Sequence, residues 1–195
     1  MCYEGEAIEN VKSGYGELTK DNGEKYEGQW NSNRKEGFGK LTCTNGEVYT
    51  GMFMNDKPHG QGKREFIRGN EVYDGMWVNG KATGQGVYYY SDGVSVYRGE
   101  FYDMKPQSFG QMTTKHTKYI GEFKAGNYDG MGRLENSEKC TRYVGMLKEN
   151  KRHGQGFFMD QKNALLFEGF WKDDMRHGQG KQTNFAANQT IMGAL

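Results

Sequence analysis

Apolar and polar residues alternate along this chain in short runs, and the runs come in pairs. Successive side chains of a strand point to opposite faces, so an aromatic-x-Gly-x-apolar run places both apolar side chains and the glycine on one face. That run recurs at Tyr26-Glu27-Gly28-Gln29-Trp30, Tyr49-Thr50-Gly51-Met52-Phe53, Tyr73-Asp74-Gly75-Met76-Trp77 and Tyr97-Arg98-Gly99-Glu100-Phe101. It returns at Tyr119-Ile120-Gly121-Glu122-Phe123, Tyr143-Val144-Gly145-Met146-Leu147 and Phe167-Glu168-Gly169-Phe170-Trp171, with a degenerate copy at Tyr3-Glu4-Gly5-Glu6-Ala7. Eleven residues after each leading aromatic stands a Gly-x-Gly. The copies are Gly14-Tyr15-Gly16, Gly37-Phe38-Gly39, Gly60-Gln61-Gly62, Gly84-Gln85-Gly86, Gly130-Met131-Gly132, Gly154-Gln155-Gly156 and Gly178-Gln179-Gly180, with Ser108-Phe109-Gly110 as the variant.

Each unit reads as two short strands. The constant offset from aromatic to Gly-x-Gly predicts a connection of fixed geometry. The return is a tolerant turn, with Asn22-Gly23, Asn45-Gly46 and Asp92-Gly93 as two-residue hairpin signals. The expected fold is all-β: an elongated single-layer antiparallel β-meander of eight hairpins over residues 3–182, starting near 3, 26, 49, 73, 97, 119, 143 and 167. At about 4.8 Å per strand, sixteen strands would run on the order of 75 Å. Residues 183–195 leave the pattern. Phe185, Ala186, Ala187, Ile191, Met192 and Leu195 suggest a short helix that caps the last repeat, or a tail that docks a partner.

The glycines at the motif positions are read as structural, giving rows of bare backbone on which aromatic rings of neighbouring strands lie flat. The expected result is an open aromatic face made of Tyr26, Trp30, Tyr49, Phe53, Tyr73, Trp77, Tyr97, Phe101, Tyr119, Phe123, Tyr143, Phe167 and Trp171, offered to a partner. The opposite face carries Met52, Met76, Ile120, Val144, Met146 and Phe170, with Val87, Tyr89 and Phe157 on return strands. These suggest that the middle and C-terminal repeats are covered on both faces, and methionine suits such adaptable contacts.

Charge and composition narrow the partner classes. Lys+Arg is 26 and Asp+Glu is 25, a net charge of +1, which is not the footprint of a nucleic-acid binder. Cys2, Cys43 and Cys140 are odd in number and lack ligand spacing, which points to a reducing, cytoplasmic setting. Neither a signal peptide nor a membrane-spanning run is discernible. His59, His153 and His177 share one repeat position, but equivalent residues lie two strands apart, too far to share a metal. The expected role is a turn histidine tied to backbone. Gly-x-Gly lacks the third glycine and helix of a dinucleotide loop. No nucleophile elbow, Walker lysine or paired acid and base emerges, so neither catalysis nor a cofactor is expected.

Tyr26-Glu27-Gly28-Gln29-Trp30 followed by Gly37-Phe38-Gly39 resembles a MORN repeat, as does Phe167-Glu168-Gly169-Phe170-Trp171 followed by Arg176-His177-Gly178-Gln179-Gly180. The resemblance runs from about residue 3 to residue 182; Ala7, Leu147 and Ser108 depart from it, making repeats one and five the least regular. It implies a non-catalytic protein-binding scaffold, with an aromatic groove that accepts a partner helix, in a cytoskeletal assembly such as the radial spokes of a ciliary or flagellar axoneme. It also implies two alternatives: a peripheral adaptor for anionic phospholipid, and a regulatory module acting on an enzyme in trans. Free sheet edges would allow self-association.

Overall fold

A computed structural model describes residues 1–67 and 70–194. The chain divides into two units, Met1–Val94 with Phe101–Met104, and Ser95–Glu100 with Lys105–Leu195. The first holds β1 (Cys2–Ile8), β2 (Val11–Thr19), β3 (Lys25–Asn31), β4 (Arg34–Thr42), β5 (Val48–Met54), β6 (Lys57–Phe66), β7 (Glu71–Val78) and β8 (Lys81–Tyr89). β9 (Val96–Tyr102) is divided between the units. The second holds β10 (Lys105–Thr113), β11 (Thr117–Lys124), β12 (Asn127–Asn136), β13 (Thr141–Lys148), β14 (Lys151–Asp160), β15 (Leu165–Lys172), β16 (Met175–Asn184) and β17 (Gln189–Ala194). Within each unit every strand runs antiparallel to the next in a single open layer, and no helix occurs among the described residues.

One register repeats throughout. In the first unit Gly28 opposes Gly39, Gly39 opposes Gly51, and Gly51 opposes Gly62. In the second, Gly121 opposes Gly132, Gly132 opposes Gly145, and Gly145 opposes Gly156. A row of bare backbone thus crosses each unit. Tyr26 lies along it: a Cβ added at Gly39 would sit 2.4 Å from the Tyr26 hydroxyl oxygen. That hydroxyl donates to the Gln29 carbonyl at 2.9 Å, and Tyr49, Tyr73, Tyr97, Tyr119 and Tyr143 each donate to the carbonyl three residues on.

Rings then pack edge to face. Tyr26 meets Trp30 of its own hairpin at 5.0 Å and Phe53 of the next at 5.1 Å; Tyr49 meets Phe53 at 5.1 Å and Trp77 at 5.2 Å. Each such pair contributes roughly 0.5–1.5 kcal/mol beyond area burial. Indole N–H groups are satisfied in turn, with Trp30 donating to the Gly16 carbonyl at 3.0 Å and Trp77 to the Gly62 carbonyl at 2.9 Å. In the second unit Tyr128 stacks on Tyr119 at 3.9 Å between centroids.

The two connections are built differently. The fixed offset reflects two-residue turns with both residues at positive φ: Glu9-Asn10, Ser32-Asn33, Asn55-Asp56, Asn79-Gly80, Asp103-Met104, Ala125-Gly126, Glu149-Asn150 and Asp173-Asp174. Such turns match the twist of the paired strands. Asn22-Gly23 and Asn45-Gly46 are not turns of this kind, contrary to expectation. There Gly23 donates to Lys20 and Gly46 to Cys43, at 2.9 and 2.8 Å, so each glycine is the last residue of a longer turn. Asp92-Gly93 closes in the same way on Tyr90.

Two further expectations change. The tail makes a strand, not a helix: β17 pairs with β16 from Asn184 opposite Gln189 to Gln179 opposite Ala194. Backbone pairing satisfies the free edge of the last hairpin, which a helix could not do. Leu195 lies outside the described residues. The fifth hairpin keeps the shared geometry despite Ser108, which holds φ 55° where Gly37 holds 73°; a serine can enter this region at a modest penalty.

Candidate interaction surfaces

The thirteen aromatic residues expected to form an open docking face are buried. Tyr26, Trp30, Tyr49, Phe53, Tyr73, Trp77, Tyr97, Phe101, Tyr119, Phe123, Tyr143, Phe167 and Trp171 all belong to the core. The expectation of a bare aromatic surface is therefore corrected. The rings cover one another along the glycine rows, and side chains from the return strands close over them.

Those closing residues stand two before the first glycine of each Gly-x-Gly: Lys12, Lys35, Pro58, Ala82, Pro106, Tyr128, Arg152 and Arg176. Lys12 lies over Trp30 at 4.8 Å, Lys35 over Tyr26 at 5.2 Å, Arg152 over Trp171 at 4.2 Å and Arg176 over Phe167 at 4.7 Å. Cation–π attraction and stem burial both favour this placement. Burial lowers the pKa of Lys35 from its ordinary value, opposed by Glu24 at 3.8 Å. Burial likewise pushes the Tyr73 and Tyr143 hydroxyls up to about 12, and raises Tyr26, Tyr49 and Tyr119 further. Sequence reasoning missed the closing residues because their types vary. The constant spacing to Gly-x-Gly is the signal that identifies them.

The opposite face is the exposed one. Cross-strand register places Phe38 opposite Met52 and Gln61 opposite Met76 in the first unit. In the second unit Met131 opposes Met146, Gln155 opposes Phe170, and Val144 opposes Phe157. Phe38, Met131 and Phe170 are 57%, 49% and 48% exposed, and Met52, Tyr89, Val144 and Met146 are also exposed. Met76, Val87, Ile120 and Phe157 are half-buried. Phe38, Phe109 and Met131 were not singled out from the sequence. Alternation finds them, since the middle residue of Gly-x-Gly must face away from its glycines. The neighbouring row differs between units: Glu27, Lys40, Thr50, Lys63 and Asp74 in the first, Ile120, Arg133, Val144, Phe157 and Glu168 in the second.

Among the described residues no cluster of His, Cys, Asp or Glu could hold a metal ion. His59 and His153 are not tied to backbone through Nδ1, which is buried without a hydrogen-bond partner in each, correcting that expectation. The Nδ1 of His153 lies 3.9 Å from Asp173. Burial pushes the Cys43 thiol up from its ordinary value. Among the described residues no helix is long and apolar enough to cross a membrane.

The MORN repeat family model matches residues 3–25, 26–48, 49–71, 73–95, 119–137, 143–162 and 167–184. The stretch it passes over contains the Ser108 hairpin. No curated protein matches the chain. Among solved structures, the chain is similar to the TCP domain of SAS-4 (dCPAP) from Drosophila melanogaster, solved with a proline-rich motif of Ana2 (dSTIL). Identity is 9% over 93% of this chain and 90% of that one, with a TM-score of 0.47. It is also similar to the G-box domain of the microcephaly protein CPAP, at 9% identity over 93% of this chain and 99% of that one, with a TM-score of 0.37.

Proposed function

The chain belongs to the MORN repeat family, and from that premise we propose that it is a non-catalytic scaffold binding other proteins through the face opposite its aromatic core. The observation that carries this reading is the apolar row of the second unit: Met131, Met146 and Phe170, with Val144 beside them, exposed on one side of a layer whose rings are already buried on the other. Adjacent apolar residues on an exposed face mark an interaction surface more often than scattered ones do. A cytoskeletal assembly is the setting the family suggests, with the axoneme of a cilium or flagellum as the first place to look.

The test replaces exposed residues, since alanine at Trp30, Trp77 or Trp171 would remove core. Met146→Glu with Phe170→Glu should leave the circular dichroism spectrum and Tm unchanged while removing proteins that co-purify with the wild-type chain from native cells. Co-purification that survives both substitutions would refute the assignment of this face. Localisation of the tagged chain away from any cytoskeletal structure would refute the setting.

A further inference from the structure

Strand alternation in the second unit sets a row of lysines beside the exposed apolar row. Lys124, Lys148 and Lys172 stand five residues after Tyr119, Tyr143 and Phe167. On β13, exposed Val144, Met146 and Lys148 alternate with buried Tyr143, Gly145 and Leu147, so the lysine and the methionine share the open face. β15 repeats this with Glu168, Phe170 and Lys172, and β11 with Glu122 and Lys124. In the first unit the same position holds Ile8, Asn31, Met54 and Val78. Among the described residues none of the three lysines has a carboxylate within ion-pair distance.

The two rows have helical spacing. β11, β13 and β15 are two strands apart in turn, which sets their lysines about 10 Å from one another. Seven residues of an α-helix rise about 10.5 Å. Met131 and Met146 oppose each other on adjacent strands, about 5 Å apart, and Phe170 lies two strands beyond Met146. A helix meets those steps with its third and tenth residues after a first contact, at about 4.5 and 15 Å. An extended peptide, whose same-face side chains recur about every 6.6 Å, does not reproduce the short first step. Lys124, Met146 and Lys148 also line one cavity of about 440 Å³.

We propose that this face of the second unit takes an α-helix of another protein with acidic residues along one flank. Its apolar residues would rest on Met131, Met146 and Phe170, and a carboxylate at every seventh position would meet Lys124, Lys148 and Lys172. The inference rests on the open face being the protein-binding one, and adds the chemistry of the partner. Complementary charge fixes the register of such a helix and excludes basic ones. A flat anionic surface fits less well, because Glu149 and Asp173, exposed at the turns next to Lys148 and Lys172, would face it too. A helix is a rod about 10 Å across and can rest on the two rows alone.

The experiment measures binding of fluorescent helical peptides to the full chain by anisotropy. The probe carries leucines at the spacing of the apolar row and a glutamate at every seventh position beside them. Two companion peptides carry glutamine or lysine in place of glutamate. The glutamate peptide should bind about tenfold more tightly than the glutamine one, and the difference should shrink as salt is raised. Lys124→Glu with Lys148→Glu and Lys172→Glu should keep the circular dichroism spectrum and reverse the preference, so that the lysine peptide binds best. Phosphatidylcholine vesicles containing phosphatidic acid are floated with both chains in parallel. The inference is overturned if no peptide binds, if the lysine substitutions change vesicle flotation but not peptide binding, or if the glutamate and glutamine peptides bind alike. Equal binding of those two that is still lost in Met146→Glu with Phe170→Glu refutes the acidic partner and leaves the scaffold reading standing. Peptide binding indifferent to Met146 and Phe170 refutes both.

Discussion

Gly80 donates its amide to the carbonyl of Pro58 at 2.8 Å, and the bond is not returned. At four other joints between a turn and the preceding hairpin the bond is reciprocal. The Asp56 amide donates to the Lys35 carbonyl at 3.1 Å while its carboxylate accepts from the Lys35 amide at 2.9 Å. Asn33 with Lys12, Asn150 with Tyr128 and Asp174 with Arg152 do the same. Proline has no amide hydrogen to give, and at both proline joints, Pro58 with Gly80 and Pro106 with Gly126, the turn residue has no side chain to receive one.

The doubled joints should therefore be the stronger ones. Asp56→Ala should destabilise the chain by about 1 kcal/mol and speed hydrogen exchange at the Lys35 amide. Converting a proline joint needs both changes: Pro58→Lys with Gly80→Asp should be more stable than the sum of the two single variants by roughly 0.5 kcal/mol or more. Additive single effects in a thermal-denaturation cycle would refute the reciprocal clasp.

Close approach makes the glycine row sensitive. A methyl at Gly39 would meet the Tyr26 hydroxyl oxygen at 2.4 Å, whereas one at Gly193 would meet nothing within 4 Å. Gly39→Ala should cost about 1–3 kcal/mol by overpacking, and Gly193→Ala should change Tm little. Urea titrations of the two variants compare them directly.

Leu147 is buried where the other hairpins carry an aromatic ring, and Tyr128, at the closing position, is stacked on Tyr119. Leu147→Phe should destabilise by about 1–3 kcal/mol, because a larger ring in this closed position would press on the Tyr128–Tyr119 stack. Adding Tyr128→Ala should recover most of that loss. A stable Leu147→Phe single variant would show that the site holds both rings.

Alkaline pH should unfold this chain through its tyrosines. Burial favours the neutral phenol, so Tyr73 and Tyr143 have folded pKa values of about 12 against an ordinary 10. Stability from this source is complete below pH 10 and is lost as pH rises towards 12, because the unfolded chain releases the protons first. Apart from exposed tyrosines such as Tyr102, tyrosinate absorbance should appear together with loss of the strand circular dichroism signal; ionisation of Tyr73 or Tyr143 that precedes unfolding would contradict burial as the cause.

Legibility differed between the two faces. Period-two alternation in Tyr26-Glu27-Gly28-Gln29-Trp30 was enough to identify strands, pair them and align the glycines. It also placed Met146 and Phe170 on the opposite face. Burial was another matter: Trp77 reads as an exposed rung in sequence, yet it is 1% exposed in the fold. Whether a ring is covered depends on residues fifteen or more positions away, such as Tyr49 against Trp77, and on closing side chains with no common residue type.

The amino-acid sequence by itself determined the hairpins, their number and the antiparallel order, because alternation and glycine spacing act through neighbours a few residues apart. Tertiary structure alone decided which face is core, how each turn clasps the hairpin before it, and that the C-terminal tail adds a strand. Those outcomes rest on cross-strand contacts, in which a ring, a proline or an asparagine takes its meaning from the residue opposite.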